Sequence, residues 1–178
     1  PSKMGGAVIE GMVKYAKLRP DCAEDALSVA RKQADWLIAH SETKGMPLAD
    51  FPPTYSGDRL TAKQYAGEIM LMYPATAAIA YLDLYEVTKS SDLLDAAVRV
   101  GKRFLALQGK DGTWWLKMRV SDGEPIGKNR CNPLAQIRLF ERLFAITGDE
   151  VWRKSADKAF SFIEKGPLST WNWEGQFE

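Results

Sequence analysis

Two stretches of the chain are variations on one pattern, and a repeated unit restricts the fold more than composition does. Pro74–Thr88 reads PATAAIAYLDLYEVT and Pro133–Thr147 reads PLAQIRLFERLFAIT. Each opens on Pro, carries an aromatic seven residues on and closes on Thr fourteen residues on, at an offset of 59 residues. A short polar link follows each (Lys89-Ser90-Ser91-Asp92 and Gly148-Asp149), and then a second amphipathic stretch. Val100/Phe104/Leu107 and Ala156/Phe160/Ile163 keep the i, i+4, i+7 spacing of an apolar helical face. Ala30/Ala34/Leu37 repeat that spacing, with Ala7–Lys17 ahead of them and Pro20-Asp21 as the link. The pattern predicts three antiparallel helical hairpins over about residues 4–40, 74–108 and 132–165.

Boundary chemistry points the same way. Asn132 precedes Pro133, whose missing N–H costs nothing at a helix start. Asp92 and Asp149 place negative charge at helix N-termini, while Gly109, Gly148 and Gly166-Pro167 are stop signals. Links inside a hairpin are short; those between hairpins are long, roughly 40–73, 109–130 and from 166 on. All the long segments must then lie at one end of the helical layer, and loops of that length are usually functional. Thr113–Val120 alternates in strand fashion between two turn signals, which predicts a small β-hairpin near 113–128. Pro74–Thr88 carries only Asp83 and Glu86 as charges, so it is expected inside, with the Lys/Arg-studded second helices outside. The expected fold is all-α: a two-layer array of helical hairpins in one domain of 178 residues.

Several function classes are excluded. Lys+Arg number 24 against 23 Asp+Glu, a net charge of +1 with no nucleic-acid footprint. No apolar run reaches the roughly 20 residues of a membrane span. Two cysteines, Cys22 and Cys131, cannot make a cysteine-based zinc site, and His40 is the single histidine. No P-loop, dinucleotide-binding glycine pattern, Gly-x-Ser-x-Gly elbow or His-Glu-x-x-His motif occurs. No metal or cofactor is expected.

Ala80-Tyr81-Leu82-Asp83-Leu84-Tyr85-Glu86-Val87-Thr88, the amphipathic helix after it, and Leu107-Gln108-Gly109-Lys110-Asp111-Gly112-Thr113-Trp114 resemble a known pattern. They are similar to the hairpins of six-hairpin, (α/α)6-toroid carbohydrate-active enzymes, which include unsaturated-glucuronyl hydrolases and a large group of bacterial glycosyl hydrolases. Trp171-Asn172-Trp173-Glu174-Gly175-Gln176-Phe177-Glu178 resembles a motif of the latter group. The resemblance implies a partial toroid whose site lies at the N-terminal ends of the inner helices, where the long loops fall. Six such hairpins need about twice this length, so the chain is expected to be a fragment or to complete its core with another chain.

Glycoside cleavage takes two carboxyl groups flanking the bond, one protonated. Asp58 in Tyr55-Ser56-Gly57-Asp58, Glu174 between Trp173 and Gly175, and Asp83 in its apolar helix are the catalytic candidates. Tyr55, Tyr73, Trp114, Trp171 and Trp173 supply rings for the C–H face of a sugar, and Lys117 and Arg130 cations for a uronate. Bland roles stand beside these: Trp114 as packing, Asp83 as a paired acid, Lys117 and Arg130 as surface charges. The expected partner is an oligosaccharide. The alternatives are a polysaccharide lyase with Tyr55 or Tyr73 as base, a sugar epimerase short of histidines, and a non-catalytic glycan- or protein-binding module.

Overall fold

The apolar spacing folds into helices as the pattern requires. The computed structural model describes residues 1–56 and 63–177, with all their side chains except those of Gln176 and Phe177. Six long α-helices among these residues form three hairpins: α1 (Ser2–Leu18) with α2 (Ala23–Ala39), α3 (Met72–Thr88) with α4 (Ser91–Leu107), and α5 (Leu134–Thr147) with α6 (Glu150–Ile163). A 3-10 turn, Pro20–Cys22, links the first pair. After α6 the chain does not stop at Gly166-Pro167: it widens into a π turn, Glu164–Leu168, that accommodates the proline without an N–H donor.

The repeated threonine has a clear cause. Thr88 and Thr147 each donate a hydroxyl hydrogen bond one turn back, to the Leu84 and Leu143 carbonyls, at 2.9 and 2.8 Å. Each hydroxyl then accepts from a backbone N–H of the link, from Ser90 in one hairpin and Asp149 in the other. The residue between turns left-handed in both, Lys89 at φ 59° and Gly148 at φ 71°, and closes the helix onto the Tyr85 and Phe144 carbonyls. Asp149 then caps α6 by accepting from the Val151 N–H at 3.0 Å.

Layering follows from which faces are apolar. α3 packs against α1 on one flank and α5 on the other, with α4 behind it, so it is the most enclosed element. Nine of its side chains are buried, among them Tyr81 and Leu82. First helices form the inner row and second helices the outer one. Gly101 of α4 lets the third hairpin approach closely: a Cβ there would stand 2.6 Å from Leu143 and 3.0 Å from the Trp152 ring. Removing Tyr81, Phe104, Phe140 and the other core side chains from water is the main force holding the layers together.

The long connections meet at one end, joined by short ladders. β1 (Glu68–Met70) pairs antiparallel with β2 (Lys117–Arg119), Ile69 facing Met118. β3 (Arg130–Cys131) pairs parallel with β4 (Gln176–Phe177). The Leu71 N–H donates to the Leu116 carbonyl and the Cys131 N–H to that of Trp114. The strand expected within 113–128 is present, but its main partner comes from the preceding long loop. The local hairpin adds a bridge between Met118 and Pro125, held by the Arg119 N–H on the Glu124 carbonyl and the Ile126 N–H on the Lys117 carbonyl, each at 2.9 Å.

Candidate functional site

Strand alternation sorts the rim residues into two sets. In 114–119 the even-numbered side chains, Trp114, Leu116 and Met118, are buried, while Trp115, Lys117 and Arg119 face outward. Trp114 therefore cannot contact a substrate. Its ring is 0% exposed, its indole N–H donates to the Phe104 carbonyl at 2.8 Å, and Phe140 packs beside it. The sequence placed it among the binding residues; the structure makes it the peg that seats the second long loop in the core.

On the outward face a cluster converges on Lys117. Its ammonium lies 4.1 Å from the centre of the Tyr65 ring and 5.9 Å from that of Tyr55, and it pairs with Glu68 at 3.2 Å. The two rings are 5.1 Å apart. Antiparallel register makes this possible: Lys117 stands opposite Met70, and Glu68 is its diagonal neighbour on the same face. Partial burial pushes the Tyr55 phenol above its ordinary pKa, with Tyr73 and Glu68 adding to the rise and Lys117 opposing it. Tyr73, at the start of α3, carries the Lys3 ammonium 5.3 Å from its ring centre. Tyr65 and Glu68 are readable in sequence as an aromatic and an acid of the first long loop, but their meeting with Lys117 is not, because nothing local links residue 68 to residue 117.

Two residues before Lys117, on the same face and about 7 Å away along the strand, Trp115 lies under Arg130. The guanidinium is 3.8 Å from the indole centre and pairs with Asp111 at 2.6 Å. Beside Asp111 opens a groove of about 400 Å³, lined by Lys110, Lys158, Ser161, Phe162 and Lys165. Gly112 enters this turn at φ 97°, where a Cβ would collide with the Lys158 carbonyl. The C-terminal aromatics follow: Trp171, at φ 55°, is 76% exposed and Trp173 39% exposed. Glu174 is exposed, and its N–H is held by the Asn172 side chain at 2.9 Å. The Arg130 N–H donates to the Gly175 carbonyl, which ties this segment to the ladder.

Asp83 does not belong to this rim. It sits eleven residues into α3, about 16 Å along the helix from the loop end. Its carboxylate is taken by Arg142, which also donates to Glu86 at 2.6 Å and to the Ile79 carbonyl at 3.3 Å. Burial works against the Arg142 charge, yet its bonds to Glu86 and Asp83 outweigh that and raise its pKa. Asp83, expected among the catalytic carboxylates, is half of an interhelical ion pair and stands apart from the rim that carries the other candidates. Asp58 lies outside the described residues.

His40 stacks on Trp36 and donates Nδ1–H to the Trp36 carbonyl at the end of α2. Both cysteines are free, and burial pushes the Cys131 thiol up to about 12, so it is no nucleophile near neutrality. Among the described residues no group of three or more His, Cys, Asp or Glu is placed to hold a metal, and no helix is long and apolar enough to cross a membrane. No family model and no curated protein sequence matches the chain.

Proposed function

We propose that the loop face binds an oligosaccharide and that the protein is a glycoside hydrolase, with Glu174 and Asp58 as its two carboxyl groups. One observation carries the reading: the rings of Tyr55, Tyr65 and Trp115 share a single face with Lys117, Glu68 and Arg130. A pyranose presents an apolar C–H face and a rim of hydroxyls, and that mixture of rings and charged hydrogen-bonding groups is its complement. Exposed Trp171 and Trp173 extend the same chemistry toward Glu174. The partial-toroid arrangement, completed by further hairpins or another chain, belongs to the same proposal.

A non-catalytic glycan-binding module is the second reading, favoured by one feature. Glu68 and Asp111 are each engaged by a cation, Lys117 and Arg130, so neither carboxylate is free to approach a glycosidic oxygen. A lyase using Tyr55 draws less support, because a phenol with a raised pKa is harder to deprotonate.

The test is a panel of oligosaccharides assayed for binding and for reducing-end release. Glu174→Gln and Asp58→Asn are expected to abolish release and leave binding within a few-fold, whereas Tyr55→Ala and Lys117→Ala weaken binding by about tenfold. Binding without release assigns the non-catalytic module, and absorbance from a new C4–C5 double bond assigns the lyase. Absence of both binding and turnover across the panel rejects the proposal.

A further inference from the structure

α2 presents to solvent a stripe that the fold does not use. Asp25, Val29, Lys32 and Trp36 follow one another at spacings of four, three and four, the interval that keeps side chains on one helical face. All four are exposed, Val29 at 46% and Trp36 at 38%. The helix is anchored from its other side. Arg31, about 200° round the helix from Val29, pairs with Asp92 of α4 at 2.5 Å. Along the stripe the seam between α1 and α2 is hollowed into two grooves. One, of about 260 Å³, includes Met12, Tyr15 and Val29; the other, of about 340 Å³, includes Met4, Val8 and Trp36.

We infer that this face pairs with the same face of a second copy of the chain, forming a two-fold dimer independent of the loop rim. Charge order decides the occupant. Asp25 and Lys32 lie almost symmetrically about Val29, and among the described residues neither makes an ion pair within its own chain. A two-fold axis through Val29 lays two α2 helices antiparallel. Val29 then meets Val29 of the second copy, Asp25 comes beside Lys32 of the second copy, and Trp36 reaches the Cys22 end of the opposite groove. A face that complements itself under a two-fold rotation is what an isologous interface requires. The same rotation places unlike charges together and like charges apart, which fixes the antiparallel register.

Sedimentation equilibrium on the whole protein over about 1–500 µM, a range that brackets micromolar association, is the test. The protein is expected to dimerise, and Val29→Glu to weaken the dimer by about tenfold or more. Asp25→Lys and Lys32→Asp are each expected to weaken it several-fold, and the double reversal to bring it back to within about threefold of the original. All three positions are exposed, and unchanged far-ultraviolet circular dichroism checks that the variants stay folded. A protein that remains monomeric overturns the inference and leaves the stripe to a different partner. A dimer indifferent to Val29→Glu, or single reversals that the double does not rescue, overturns it as well.

Discussion

Lys89 occupies a backbone conformation that its own repeat partner fills with glycine. Position 89 of the second hairpin corresponds to Gly148 of the third, and both turn left-handed to end their helices. A side chain there carries a steric cost of roughly 1 kcal/mol that glycine avoids. The Lys89 ammonium recovers part of it 5.7 Å from the Tyr85 ring centre, a contact worth about 0.5 kcal/mol at an exposed site. Lys89→Gly is therefore expected to raise the unfolding free energy by about 0.5 kcal/mol in urea titration; a loss of stability would show that the turn depends on the lysine ring contact. Residue chemistry of this kind was legible in the sequence wherever it was local, as with the repeated Thr and the Asp149 cap. It was not legible where two loops had to meet. Trp114 and Trp115 are adjacent, aromatic and alike in sequence, yet one is a core peg and the other lies under Arg130. Only the strand's orientation tells them apart.

Between elements, the repeat explains more than hairpin count. Asp83 and Arg142 stand at equivalent positions of two inner helices, and they pair across the α3–α5 contact. An acid in an apolar helix reads in sequence either as a functional group or as half of a pair; in the structure Asp83 is half of a pair, well away from the loop end. Both side chains are about one-fifth exposed, so the pair is partly desolvated and losing one partner strands the other. Asp83→Ala is expected to cost about 1–3 kcal/mol in thermal or urea unfolding while leaving any glycan binding unchanged. Exchanging the two residues, Asp83→Arg with Arg142→Asp, is expected to recover part of that loss. A large loss of binding with intact stability would return Asp83 to the site. Hairpin order, inner and outer rows and the one-sided loops were readable because helical period and link length are local properties. The pairing of 68–70 with 117–119 was not, because short strands in separate loops carry no shared periodic signal.

At the scale of the molecule, the hairpin array sends every long connection to one end, and the ladders bind those connections into a single surface. Trp114 fixes its depth from below, and outward residues of the same strand give it rings and charges. The dimer inferred through α2 would involve a different face and leave this surface open. Chemical-shift mapping on the labelled protein during titration with oligosaccharides tests the central claim most directly. Perturbations confined to the rim, with Tyr55, Tyr65, Trp115, Lys117, Arg130 and the Trp171–Trp173 segment moving together and saturating, are the expected result. Saturable perturbations centred elsewhere, or no saturable shift with any saccharide, would contradict it.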